Sequence, residues 1–381
     1  MEFLNTLTTT TQPMIEPEAK SGEYVANYIG SKQNLLDWTW DKTPKEIDSV
    51  FDAFSGAATL SYMYKSKGLR VVSNDRLHYC YHIARAIVEN NFTCLNDDDI
   101  DLLFQPNPNS GTFVRDTFRG LYFGRGVHSL IDQYRANCDY LYGYKKDIAL
   151  FALGATCISS TCGFGNFTTT SSNNKPLCMP NEFKERFRMN LQKVNNLVFN
   201  NDRQNKAVMM DVIDVLPLVQ TDIIFFDTPY ATEFSVTNYE KSYHFVEGLM
   251  TYWEGLTIKK ETKSKCYETD HESLTKNNVY DFFTDLFERA GHYPYWIISY
   301  RDHAYPTEKE MKDIIATFGR TCTVVSNYYQ YTIAGKRTPA SSSIEYLFIC
   351  KKKGLSHLNL PTYAPMNIIL PRPDRSLKRS R

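Results

Sequence analysis

The chain has 381 residues, 42% of them apolar and 23% charged, which is enough to bury a substantial core in one large domain with an insertion, or in two domains. Lysine plus arginine and aspartate plus glutamate both number 43, so the formal net charge is zero and any nucleic-acid surface has to come from local clustering. No apolar run is long enough to span a bilayer and no signal-peptide pattern is present; with nine cysteines, the expected setting is a reducing cytoplasm rather than a membrane.

Residues 1–22, with the run Thr8 to Thr11, read as a flexible leader, and structure is expected from about Tyr24. Next, Asn27-Tyr28-Ile29-Gly30-Ser31-Lys32 leads into Leu35, Leu36, Trp38 and Trp40, spaced as a short amphipathic helix entered through a Gly-Ser turn. Gly30 would let backbone approach a ligand closely. A strand through Val50, Phe51, Asp52, Ala53 and Phe54 then runs into the small-residue turn Ser55-Gly56-Ala57-Ala58. The helix after it carries Leu60, Met63 and Tyr64 and stops at Gly68. Arg70 to Asp75 is a second strand ending in an acid, followed by a helix bearing Leu77, Cys80, Tyr81, Ala84, Ile87 and Val88. Two such units in succession predict a parallel, doubly wound α/β sheet with nucleotide-like binding: the turn lies under the ligand and the acid meets ribose hydroxyls. The turn is not the GxGxxG of dinucleotide enzymes, which argues against a nicotinamide cofactor.

From about residue 96 to residue 196 the strand–helix alternation lapses, and the segment reads as an inserted lobe. It holds arginines among aromatics (Arg115, Phe118, Arg119, Tyr122, Phe123, Arg125), an apolar helix from Ile148 to Ile158, and the stretch Phe164-Gly165-Asn166-Phe167. Arginine interleaved with aromatics and glycine can serve phosphate contact and base stacking. Cys138, Cys157, Cys162 and Cys178 lack the paired short spacing of a zinc site, so no metal is expected.

The sheet resumes at Ala207 to Asp211, a third strand ending in an acid, and continues through Ile223-Ile224-Phe225-Phe226 into Asp227-Thr228-Pro229-Tyr230. This tetrapeptide places a carboxylate acceptor, a rigid backbone carbonyl and a flat aromatic face at the rim where open sheets bind ligands. A polar loop to about Tyr243 follows, then a helix from His244 to Trp253 and another with Val279, Phe282, Phe283, Leu286 and Phe287. Trp296 to Tyr300 is a further strand, Thr307 with Glu310 makes a capping box, and Thr321–Ile333 with Ile344–Cys350 form an antiparallel pair closing the sheet. The basic tail, with Arg372, Arg375, Lys378, Arg379 and Arg381, reads as disordered.

Four stretches, in order, resemble one family: Tyr28-Ile29-Gly30-Ser31-Lys32, Asp52-Ala53-Phe54-Ser55-Gly56, Asn74-Asp75 and Asp227-Thr228-Pro229-Tyr230 are similar to the motifs of Dam-type (α-group) adenine-N6 DNA methyltransferases. Further likenesses are Phe164-Gly165-Asn166-Phe167, Tyr243-His244 and Ile298-Ser299-Tyr300. The resemblance implies a Rossmann-like sheet over residues 23–95 and 197–353 that binds S-adenosylmethionine (SAM), with residues 96–196 as a target-recognition lobe and 354–381 as a flexible tail. It implies that Tyr28, Gly30, Lys32, Asp52, Phe54, Ser55, Gly56, Asp75 and Asp211 serve the cofactor, with Asp211 either meeting the adenine of SAM or capping its strand end. Asp227, Thr228, Pro229 and Tyr230 serve catalysis, and Arg115, Arg119, Arg125 and Asn166 serve DNA. The implied partner is double-stranded DNA, with a possible cognate restriction endonuclease.

Two departures stand out. Thr228 occupies the place of the family's first proline, and Phe54 to Ala58 is poorer in glycine than the family's turn. Thr supplies the same backbone carbonyl with less rigidity. Cytosine-N4 methylation fits the same acid-Pro-aromatic constellation, and a catalytically silent DNA- or SAM-binding module is the alternative from another class. An RNA or protein-amide substrate suits the long insertion less well.

Overall fold

The computed structural model describes residues 32–163, 165–170, 176–232, 239–269, 273–330 and 342–355. The proposed leader, Tyr28, Gly30, Phe164, the loop at 335–339 and the basic tail beyond residue 355 lie outside the described residues.

The apolar runs that precede the strand-end acids become adjacent strands of one seven-stranded sheet. The strands are β1 (Ser49–Asp52), β2 (Arg70–Asn74), β3 (Lys206–Val208), β4 (Ile223–Phe226), β5 (Tyr295–Arg301), β6 (Arg320–Gln330) and β7 (Ser342–Lys352). Their spatial order is β3-β2-β1-β4-β5-β7-β6. The pairs among β1 to β5 are all parallel, and β7 runs antiparallel to both β5 and β6. This is the α/β, Rossmann-like sheet expected from the βα repeats. What the sequence pattern did not reveal is that β7, the last of the described strands, inserts between β5 and β6. Alternating residues identify a hairpin but not which of its edges joins the sheet.

β1 and β4 are buried throughout because both faces of a central parallel strand are covered. Successive side chains point to opposite faces. Accordingly Val50, Val71, Ile223, Phe225 and Ile297 enter one apolar cluster, while Phe51, Val72, Ile224, Phe226 and Ile298 enter the other. The second face is covered by helices Val279–Arg289 and Glu308–Thr317, the latter begun by the expected Thr307–Glu310 capping box. Helix Tyr144–Ser160, the apolar helix of the inserted segment, joins the first cluster by packing against helix His78–Ala84 and is buried along most of its length. Gly154 lets it approach closely, since a Cβ there would stand 2.3 Å from the Tyr79 ring. The hydrophobic residues of 96–196 are thus continuous with those of the sheet face.

Register at the end of the sheet remote from the acids is fixed by Asp222. One of its oxygens accepts from Asp48 N, Ser49 N and Ser49 Oγ at 2.9, 2.9 and 2.8 Å, which ties the start of β4 to the start of β1. With that end pinned, the opposite ends of both strands are held side by side. The strand order reverses between β1 and β4, so the crevice at their carboxyl ends is the place where an open α/β sheet binds a ligand.

Candidate active site

Four acids lie at the carboxyl ends of four neighbouring strands: Asp52 ends β1, Asp75 follows β2, Asp211 follows β3 by a few residues, and Asp227 follows β4. Each has a different environment. The Asp75 carboxylate accepts from Gly56 N and Leu77 N, both at 2.9 Å, so it spans the small-residue turn and the start of the next helix. That turn needs left-handed backbone at Gly56 (φ 50°) and at Ala58 (φ 56°). Phe54 and Ser55 complete it, Ser55 N donating to Asn74 O at 2.8 Å. Burial pushes the Asp75 carboxyl up to about 6.

Asp52 is more deeply enclosed. One of its oxygens accepts from Ser61 Oγ at 2.7 Å, and the other is buried without a hydrogen-bond partner among the described residues. Desolvation is the main cause of its carboxyl rising to about 7, with Asp227 and Asp75 pushing the same way. Asp211 is exposed and accepts from Ile213 N at 2.9 Å. Asp211 thus caps the short helix Val212–Val215 that follows its strand.

Around Asp227 a second set of groups converges. Lys32 Nζ donates to the Tyr230 hydroxyl at 2.5 Å, lies 3.3 Å from Asp227 Oδ1 and donates to Glu345 Oε1. Tyr230 OH in turn reaches Glu345 Oε1 at 3.0 Å and Asp227 Oδ1 at 3.4 Å, and Ser299 Oγ donates to Glu345 Oε1 at 2.8 Å. The Tyr230 ring meets the edge of Tyr300 at 5.3 Å and has the Arg301 guanidinium 5.9 Å from its centroid. Burial raises the Asp227 carboxyl to about 6; Lys32 opposes that rise and Glu345 adds to it.

Sequence reasoning assembled Lys32, Asp52, Phe54, Ser55, Gly56, Asp75 and Asp227 to Tyr230 at one rim, and the structure brings them to the same end of the sheet. It missed Glu345 and gave Ser299 no role. The signal was present: Glu345 shares the buried face of β7 with Leu347 and Ile349, and an acid on the apolar period of a strand needs a partner.

The inserted segment departs from expectation in one respect. Phe118, Tyr122 and Phe123, which sequence offered as stacking surfaces, are buried, and Phe118 and Phe167 each pack against Phe245 at 4.9 Å. Aromatic area is worth more inside the core than at a wet rim, so the rings turn inward. Arg115, Arg119 and Arg125 are exposed, Arg115 pairing with its neighbour Asp116 at 2.9 Å. Asn166 is occupied locally, accepting from Thr168 N and Thr168 Oγ1 at 3.1 and 2.7 Å.

Residues 28–299 match the family described as D12 class N6 adenine-specific DNA methyltransferase. The chain belongs to that family. Its members methylate the N6 amino group of adenine in DNA with SAM as methyl donor, which decides between the two exocyclic amines that sequence left open. Among relatives, the chain is 27% identical over 342 residues to Type II methyltransferase M2.HphI of Haemophilus parahaemolyticus, covering 86% of this chain and 97% of the relative. It is 24% identical over 349 residues to Type II methyltransferase M.FokI of Planomicrobium okeanokoites and 25% identical over 326 residues to Modification methylase StsI of Streptococcus sanguinis. These matches cover 85% and 76% of this chain but only 52% and 46% of those relatives, so the chain spans about half their length. No described helix is long and apolar enough to cross a membrane.

Thr228, where this D12-class chain departs from the proline expected by resemblance, is buried, and its hydroxyl has no hydrogen-bond partner among the described residues. The hydroxyl therefore costs stability without lining the open rim. Thr228→Val is expected to stabilise the fold by about 1 kcal/mol, because an unsatisfied buried hydroxyl is removed at nearly constant volume. Thermal melting checks this; a melting temperature at or below that of the wild-type chain would contradict it.

Proposed function

We propose that the chain methylates adenine N6 at a specific site in double-stranded DNA, acting on a base turned out of the helix, with Asp227 and the Thr228 carbonyl as paired acceptors for the amino hydrogens. The observation that carries this reading is Asp227 at the rim beside the strand-order reversal, with the cofactor acid Asp75 two strands away at the same end. SAM, when bound, supplies an electrophilic methyl group.

The residues present suit that cofactor. Asp75 accepts one hydrogen bond on each oxygen and so retains a lone pair on each for ribose hydroxyls. Asp52 offers an unpartnered buried oxygen, and the turn at Gly56 and Ala58 lies between the two acids. Asp75→Ala is expected to weaken SAM binding roughly 100-fold, the loss of two hydrogen bonds to a charged group at about 1.5 kcal/mol each. Titration calorimetry measures it; unchanged affinity would remove Asp75 from the cofactor site.

Adenine N6 is a poor nucleophile because its lone pair is delocalised into the ring. Acceptors on both amino hydrogens favour the pyramidal nitrogen and stabilise the positive charge that develops as it attacks. Pro229 stiffens the backbone that carries the Thr228 carbonyl. The base has to leave the stack for its amine to reach this rim, and Tyr230 offers an aromatic face that offsets part of the unstacking cost of a few kcal/mol.

Residues 96–196 serve as the target-recognition segment, with Arg115, Arg119 and Arg125 as exposed phosphate contacts. The relatives' names place them among type II and modification enzymes, which supports a paired restriction endonuclease for this chain as well. Expression in a host lacking adenine methylation, followed by genome-wide sequencing of modified bases, tests the reading. N6-methyladenine at one recurrent sequence is expected; N4-methylcytosine or no modification would contradict it.

A further inference from the structure

We propose that Glu345 is a positioning residue of this site, holding Lys32 and Tyr230 away from Asp227 so that the Asp227 carboxylate stays open to the target amine. The inference rests on Asp227 being the amine acceptor.

Two donors lie within reach of Asp227 Oδ1, and both sit closer to Glu345. Lys32 Nζ is 3.3 Å from Asp227 but in direct, shorter contact with Glu345 Oε1. The Tyr230 hydroxyl is 3.4 Å from Asp227 Oδ1 and 3.0 Å from Glu345 Oε1. One ammonium is thus shared unequally by two carboxylates. The Glu345 side chain is 0% exposed and Asp227 19%, so Glu345 has less water to fall back on and competes more strongly for the charge.

Glu345 is itself fixed. It stands on β7 opposite Arg301 of β5, and Ser299 Oγ donates to the same oxygen that receives Lys32. Its other oxygen is buried without a hydrogen-bond partner among the described residues, so the carboxylate is held from one side only. An acid that capped structure alone would have no reason to draw both donors off the neighbouring carboxylate. If Glu345 were removed, Lys32 would pair fully with Asp227, and the target amine would have to displace an ion pair.

The test is methyl transfer by the full chain, with labelled SAM and genomic duplex DNA from a host lacking adenine methylation, followed across pH. The charged and titratable groups facing Asp227 are Lys32, Glu345 from β7, Tyr230 from its own loop and Asp52 from β1. Asp75 faces Glu247 and Arg76 instead, so its titration is not touched by a change at Glu345. E345Q is expected to lower the transfer rate roughly tenfold or more and to move the acid limb of kcat/KM to lower pH, since Asp227 loses a repelling charge and gains all of Lys32. Adding K32M to E345Q removes the competitor, and at saturating SAM, which compensates for any loss of a Lys32 contact to the cofactor, the kcat of the double variant is expected to be at least that of E345Q. An unmoved acid limb, or losses in kcat at saturating SAM from K32M and E345Q that multiply, would overturn the proposal. Should E345Q fail to melt cooperatively or to bind SAM, E345D keeps the charge and shortens the reach. A lower kcat with unchanged SAM affinity supports the positioning role, and wild-type kcat overturns it. The acceptor role of Asp227 is decided separately by D227A, so the two failures are distinguishable.

Discussion

Asp227→Ala is expected to reduce methyl transfer by at least about 1,000-fold while SAM still binds, because the acceptor contributes chiefly as charge develops on the amine. The geometry explains why binding survives. Asp75, the proposed ribose acid, lies two strands from Asp227, and it and the turn at Gly56 make their own hydrogen bonds. The fold survives as well: Lys32 keeps Glu345 as its partner, so the variant leaves no buried ammonium without a counter-charge. Single-turnover transfer and calorimetric SAM titration on the same preparation check both halves. Near-normal turnover would remove Asp227 from the chemistry. A companion expectation concerns pH. With its carboxyl raised to about 6, Asp227 is ionised at neutral pH and able to accept, and kcat/KM falls as pH drops through about 6 and the carboxylate is protonated.

Tyr230→Ala should show the second-largest effect, and a substrate dependence separates its possible causes. An aromatic face under an extruded base is worth roughly 1–3 kcal/mol, so the rate on matched duplex falls by about 10- to 100-fold. A mismatched target base has already lost part of its pairing, and the loss there is expected to be smaller. Tyr230 also donates its hydroxyl towards Glu345 and Asp227, a function that Tyr230→Phe removes while the ring stays. The Phe variant is therefore expected to lose less duplex activity than Tyr230→Ala, about fivefold, because the hydroxyl hydrogen bond contributes about 1 kcal/mol. Equal losses for Tyr230→Ala on matched and mismatched DNA would count against stacking.

The parts of this site legible in the sequence are those made by short-range rules. Asp52, Asp75 and Asp227 each follow an apolar run, and an acid after such a run stands at a strand end whatever the tertiary context. The Gly56–Ala58 turn and the Thr307–Glu310 cap are likewise local, set by backbone sterics and by one side chain reaching three residues. That Glu345 needed a partner was legible, but which one was not, because Lys32 and Tyr230 lie far from it in sequence and meet it only once β7 has inserted beside β5. The inward turn of Phe118, Tyr122 and Phe123 was missed for a related reason. Arginine next to phenylalanine reads equally as a binding surface or as the edge of a core, and packing against rings distant in sequence, such as Phe245 and Trp253, decides it. Helix Tyr144–Ser160 completes the point: its apolar character was plain, but its packing against helix His78–Ala84 depends on the close approach at Gly154.

The most direct measurement of the central claim is nucleoside analysis of duplex DNA after incubation with labelled SAM and either the wild-type chain or Asp227→Ala. The label is expected in N6-methyladenine with the wild-type chain and absent with the variant. Label in N4-methylcytosine, or N6-methyladenine formed at a comparable rate by Asp227→Ala, would contradict the assignment of this rim as an adenine N6 site.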